Sequence, residues 1–147
     1  MIVRFLFTLA LTLCTLGGAA EAQQNLQVTT LDGRMVELRV QLADTPEKQA
    51  RGLMYVEHMP PRQGMLFPMQ PPRQARFWMR NTLIPLDLIF ILPGGMIGQI
   101  VTRSDTQSDR ITQSVDKVSA VLELNGGEAA QLNIGIGDRV QMNGVRF

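Results

Sequence analysis

The chain has 147 residues, with 14 basic and 13 acidic side chains and a formal charge of +1. That near balance excludes the strong basic excess by which a nucleic-acid partner shows itself, and the length suits one core of ordinary domain size. A single histidine, His58, excludes a histidine-rich zinc site, and no Ser-His-Asp or Cys-His set can be assembled around it.

Met1 to Arg4 is a short basic start, followed by the apolar segment Phe5 to Leu16 and the small residues Gly17 to Ala22. This is the layout of a secretory signal peptide. Its apolar part is shorter than the roughly 20 residues that a membrane span needs. Ala20-Glu21-Ala22 has the small-x-small form of a cleavage site, and Gly18-Ala19-Ala20 would also serve, with cleavage two residues earlier. The expectation is a leader over residues 1–22, a single domain over 23–147, a periplasmic or secreted location, and no membrane span once the leader is removed. The one cysteine, Cys14, falls inside the leader, and Leu13 stands where a lipoprotein signal needs a small residue. The exported part would then lack thiol chemistry and disulfides, as a bacterial periplasm permits. Losing Arg4 and Glu21 removes one charge of each sign, so the balance stays at +1.

Leu26 to Leu42 reads as two strands joined at Asp32-Gly33, with Val36, Leu38, Val40 and Leu42 alternating against Glu37, Arg39 and Gln41. Thr45-Pro46-Glu47 announces a short helix: a hydroxyl cap, a proline that loses nothing at the first position, and an acid at the positive end. Ala50, Leu53 and Met54 supply its apolar face, Glu47 and Arg51 could pair, and Gly52 marks its end. From Tyr55 to Pro72, proline, glutamine and methionine dominate, and only Gly64 to Phe67 looks like a strand. Ala75 to Arg80 and Leu86 to Leu92 are apolar enough for central strands, with Asn81 to Pro85 turning between them. Met96 to Thr102 returns after Pro93-Gly94-Gly95, Arg103 to Asp116 is polar enough for a surface loop, and Val118 to Leu124 is a further strand. Glu128 to Leu132 suits a helical turn or two, and Arg139 to Phe147 closes the chain as a strand or hairpin. About seven strands following one another, with two short helices, predict an α+β domain, mainly antiparallel, with a partly closed, barrel-like sheet.

Arg51-Gly52-Leu53-Met54, Gly64-Met65-Leu66-Phe67, Phe77-Trp78-Met79-Arg80-Asn81-Thr82, Ile84-Pro85-Leu86-Asp87 and Val121-Leu122-Glu123-Leu124 occur in this order. Over roughly Val36 to Val140 they resemble the bacterial and archaeal family catalogued as domain of unknown function 192. The resemblance implies a compact, mainly β domain, often exported, and no activity. The chain departs from the family pattern at Val56, where members commonly carry a basic residue, and at the turn Asn125-Gly126-Gly127. The first departure bears on how an anion would be held.

Three constellations could carry chemistry. Asp87, alone in an apolar run, needs an arginine or several donors to keep its charge. Either it locks two strands by accepting bonds from the Asn81 to Pro85 turn, or it joins Glu123 as an acid and base pair, as in a hydrolase of glycan or another envelope component. Arg62, Arg73, Arg76 and Arg80 surround Trp78, whose indole is either a stacking face or core. With Trp78, Arg80, Asn81, Thr82 and Asp87 as its lining, this region would be a ligand pocket. Met54, Met59, Met65, Met69 and Met79, near His58, offer soft donors for Cu(I), or simply fill an irregular core. The functional expectation is a binding or interaction module of the cell envelope, for a small anionic or glycan ligand or an envelope protein. No resident metal or cofactor is expected.

Overall fold

The computed structural model describes residues 22–147. The expected leader, with Cys14, therefore lies outside the described residues save for Ala22. Nine strands and two short helices follow in chain order: β1 (Gln24–Thr29), β2 (Met35–Leu42), α1 (Pro46–Arg51), β3 (Gln63–Arg73), β4 (Arg76–Phe77), β5 (Leu86–Ile91), β6 (Ile97–Arg103), β7 (Thr112–Gln113), β8 (Val118–Asn125), α2 (Glu128–Gln131) and β9 (Arg139–Met142). Seven of the strands form one sheet in the order β6-β5-β8-β3-β2-β1-β9, and β4 pairs with β7 as a separate ribbon.

The main sheet is mixed rather than wholly antiparallel, because β2 and β3 run parallel, with Val40 opposite Gly64 and Leu42 opposite Leu66. A parallel neighbour requires a crossover, and α1 with the Leu53 to Pro60 segment is that crossover. The expected barrel holds only loosely. The ladder does not close, and its outermost strands meet at one bridge, Met96 to Arg139.

Strands β5 and β8 lie at the heart of the molecule, and β5 is buried on both faces. Alternate side chains feed two apolar layers. Leu66, Ile89, Ile91, Leu122 and Leu124 join Val28, Leu38, Val40 and Val140 on one face, under Ala129 of α2. Met65, Phe67, Met69, Leu88, Phe90 and Val121 form the other, covered by Leu53, Met59, Ala75 and Met79. Gly64 sits where the backbones of β3 and β8 crowd together. A Cβ there would lie 2.2 Å from the Glu123 carbonyl oxygen, so only glycine fits without a shift.

Three expectations are corrected. Ala75 to Arg80 is not a central strand: only Arg76 and Phe77 are extended, paired to Thr112 and Gln113. The same contact puts β7 inside the stretch expected to be loop. The β3 strand also runs on past Phe67 to Arg73, its register with β8 shifting between Pro68 and Arg73 where the prolines interrupt the ladder.

Candidate functional site

Helix α1 is held at both ends by local chemistry. The Thr45 hydroxyl accepts from the Lys48 amide at 3.2 Å, and Gly52 ends the helix at φ +50. The pair across its exposed face is Lys48 with Asp44, not Glu47 with Arg51. The end of α1 thereby faces β3 and the segment around β4, and a cavity of about 420 Å³ opens between them. Its apolar wall is Leu53, Met54, Phe67, Met69, Ala75, Phe77 and Trp78. Phe77 is wedged edge-on between Phe67 and Phe90, at centroid distances of 5.1 and 6.5 Å. The rim carries three arginines, Arg51, Arg73 and Arg76. The one carboxyl among the lining residues is that of Glu123.

Glu123 belongs to β8, where its cross-strand partners are Met65 and Leu88. Both neighbours are apolar, so nothing on the sheet compensates a charge. The side chain is 5% exposed, and its Oε2 is buried with no hydrogen-bond partner among the described residues. Removal from water raises its pKa to about 8, because the charged form loses hydration and gains nothing in return. A neutral acid group thus closes the floor of a cavity whose mouth is cationic.

Asp87 does something else. In register it lies opposite Leu124, whereas Glu123 lies opposite Leu88. Directly opposed residues share a face and successive ones alternate, so the two carboxyls project from opposite faces of the sheet. They cannot flank one bond of a shared substrate, which removes the geometry that glycan hydrolysis by this pair requires. The Asp87 carboxylate accepts from the Gly127 amide (2.9 Å) and the Thr102 hydroxyl (2.6 Å) through Oδ1, and from the Ala129 amide (2.9 Å) through Oδ2. The lock is therefore to the start of α2 and to β6, not to the Asn81 to Pro85 turn.

Of the other expected residues, Trp78 and Thr82 line the cavity, and Arg80, Asn81 and Asp87 do not. Trp78 is 43% exposed rather than core, with the Arg80 guanidinium 4.0 Å from its ring centroid. Arg80 also pairs with Asp109 at 2.7 Å. Asn81, at φ +55, accepts the Tyr55 amide through its carbonyl, which ties the segment after α1 to the segment after Trp78. Arg62 is exposed, and its amide donates to Glu128. His58 is exposed and away from the cavity, Met59, Met65 and Met79 are buried in the core, and Met54 and Met69 belong to the cavity wall. Among the described residues, no cluster of three or more His, Cys, Asp or Glu could hold a metal ion.

Sequence reasoning missed two residues. Arg51 reads as a solvated helix charge yet stands at the rim. Arg103, in a stretch that reads as surface, is 1% exposed. Its guanidinium grips Asp105 bidentately at 2.7 and 3.0 Å and also donates to the Thr112 hydroxyl and the Arg110 carbonyl. With Arg110 also paired to it, Asp105 is held well below the usual carboxylate range. The loop so anchored supports the cavity wall: the Met79 amide donates to the Ser108 carbonyl at 2.9 Å, and the Gln107 amide to the Thr82 carbonyl at 3.0 Å. The only trace in the sequence is Arg103 two residues before Asp105, a spacing too common to single out.

Solved structures similar to this chain include two bacterial proteins. One, from Sinorhizobium meliloti 1021 and provisionally described as a transcription regulator, is 37% identical with a TM-score of 0.83, over 88% of this chain and 100% of that one. The other, a protein of unknown function from Novosphingobium aromaticivorans DSM 12444, is 36% identical with a TM-score of 0.79, over 84% of this chain and 89% of that one. No curated protein matches. The family model described as DUF192, uncharacterized ACR, matches residues 27–142. The motifs around Trp78, Asp87 and Glu123 therefore place the chain where they pointed: it belongs to the DUF192 family.

Proposed function

We propose that this chain is a small-molecule-binding module of the cell envelope, exported behind residues 1–22, whose site is the cavity above Glu123. The observation that carries the reading is the Glu123 carboxyl, buried at the cavity floor with no partner for Oε2 among the described residues. A buried acid left without a partner costs stability, and a molecule, ion or water held in the cavity would supply the missing bond. Apolar and aromatic walls with polar groups converging on a concave space have the make-up of a ligand site. Trp78 at the edge makes the site self-reporting.

The test is to titrate the domain beginning at Gln23 with a panel of small anions, sugars and cell-wall fragments while following Trp78 fluorescence. The expected result is a saturable change with at least one class, reduced in Glu123→Met. A flat response across the panel from folded protein would count against the cavity as the site. Mass analysis of protein recovered from the periplasm should give an N-terminus at Gln23 or Glu21, and an intact Met1 there would overturn export by cleavage.

A further inference from the structure

We infer that the occupant of this cavity is an amphipathic anion, with a carboxylate or phosphate head at Arg51, Arg73 and Arg76, an apolar body along Phe77, Trp78 and Met69, and an uncharged hydrogen-bond acceptor against Glu123. The inference rests on the reading of the cavity as a ligand site and adds the chemistry of what fills it. Three observations carry it. First, the sign of the rim is one-sided: three guanidinium groups line the cavity, and none of them has a carboxylate partner among the described residues. Arg80 and Arg103, which do not line the cavity, are both paired to aspartates. Guanidinium groups match carboxylate and phosphate oxygens in bidentate geometry.

Second, the wall between rim and floor is mainly apolar and aromatic, with Thr82 its buried polar member, so the part of the ligand that crosses it is mainly apolar as well. Third, the floor presents a buried carboxyl, that of Glu123, whose Oε2 has no hydrogen-bond partner among the described residues. Met65 and Leu88 flank Glu123 and offer no charge compensation, so an anionic group at that depth would be buried without a counter-charge. A cationic group would have to pass three arginines and then draw the proton off Glu123. What the neutral carboxyl does offer is one O–H donor, which an ether, carbonyl or hydroxyl oxygen of the ligand would accept.

The experiment uses the domain from Gln23 and four probes of one chain length, each below its micelle concentration: octanoate, octyl phosphate, octanol and octylammonium, followed by Trp78 fluorescence near neutral pH. Either anion, or both, should bind at least about ten-fold more tightly than octanol, and the head that does so is thereby identified. Charge reversal at the exposed Arg51 and Arg76 (R51E with R76E) should abolish the advantage of the anions over octanol. A keto analogue of octanoate should bind more tightly than octanoate itself, and Glu123→Met should erase that gain. Octylammonium or octanol binding as tightly as the anions would overturn the anionic class while leaving the cavity as the site. Silence from all four probes with the protein folded would overturn the inference, and the broader panel would then decide whether the cavity is a site at all. Equal binding of the keto analogue and octanoate would overturn the role given to Glu123.

Discussion

Glu123 makes the protein's stability depend on pH in a window where few other groups intervene. Burial moves its pKa from the ordinary 4.5 to about 8. Between those values the folded state keeps a proton that the unfolded chain has released. Stability then falls as pH rises, with a slope of about 1.4 kcal/mol per pH unit from this one group. The contribution is complete below about pH 4.5 and is lost as pH climbs through about 8. The whole shift corresponds to ~5 kcal/mol at 1.36 kcal/mol per pKa unit, of which roughly 3–4 kcal/mol falls between about pH 5 and about pH 8. Asp32, Asp44, Asp105 and Asp109 are shifted the other way by their basic or hydroxyl neighbours. Their contribution is present above the ordinary carboxylate range and is lost only as pH drops below it, outside this window. The assay is urea unfolding of wild type and Glu123→Gln at several pH values. The glutamine buries an amide at constant cost, so the two stability curves should be offset and should converge or cross as pH rises, because only the wild type loses stability through this group. Parallel curves from about pH 5 to about pH 8 would refute the claim that the fold holds this carboxyl neutral.

Further expectations follow from the same structure. Asp87→Asn should cost about 1–3 kcal/mol in urea unfolding, because the Gly127 and Ala129 amides lose a charged acceptor; unchanged stability would mean that α2 is held by packing alone. Arg103→Lys cannot keep the bidentate grip on Asp105 together with the bonds to Thr112 and Arg110. It should cost about 2–4 kcal/mol and speed amide exchange over residues 104–111, and unaltered exchange there would show that the loop has other anchors. Gly64→Ala should cost about 3 kcal/mol or more, since the new Cβ would lie 2.2 Å from the Glu123 carbonyl and 2.8 Å from a Leu124 methyl. A variant as stable as wild type would mean that β3 and β8 separate more easily than close packing allows.

What could be read from the sequence alone was whatever depends on neighbours along the chain. The alternation Val36, Leu38, Val40 identified β2 because one face of that strand meets water. Thr45, Pro46 and Glu47 marked the start of α1 because a helix N-terminus is satisfied by residues within its first turn. The ordered motifs from Arg51 to Leu124 identified the family, and Asp87 stood out as an acid in an apolar run. The roles of Asp87 and Glu123 were decided only in the folded sheet. Both stand in strands flanked by apolar residues on each side, and β5 and β8 are buried on both faces, so no polar alternation says which layer either carboxyl enters. The pairing of Leu88 with Glu123 and of Asp87 with Leu124 sends them to opposite faces. Asp87 there meets two amides of a turn 40 and 42 residues away, while Glu123 lies between the apolar Met65 and Leu88 and lines a cavity. Strand register is a long-range property, and it separated the carboxylate that locks the fold from the one that faces the cavity.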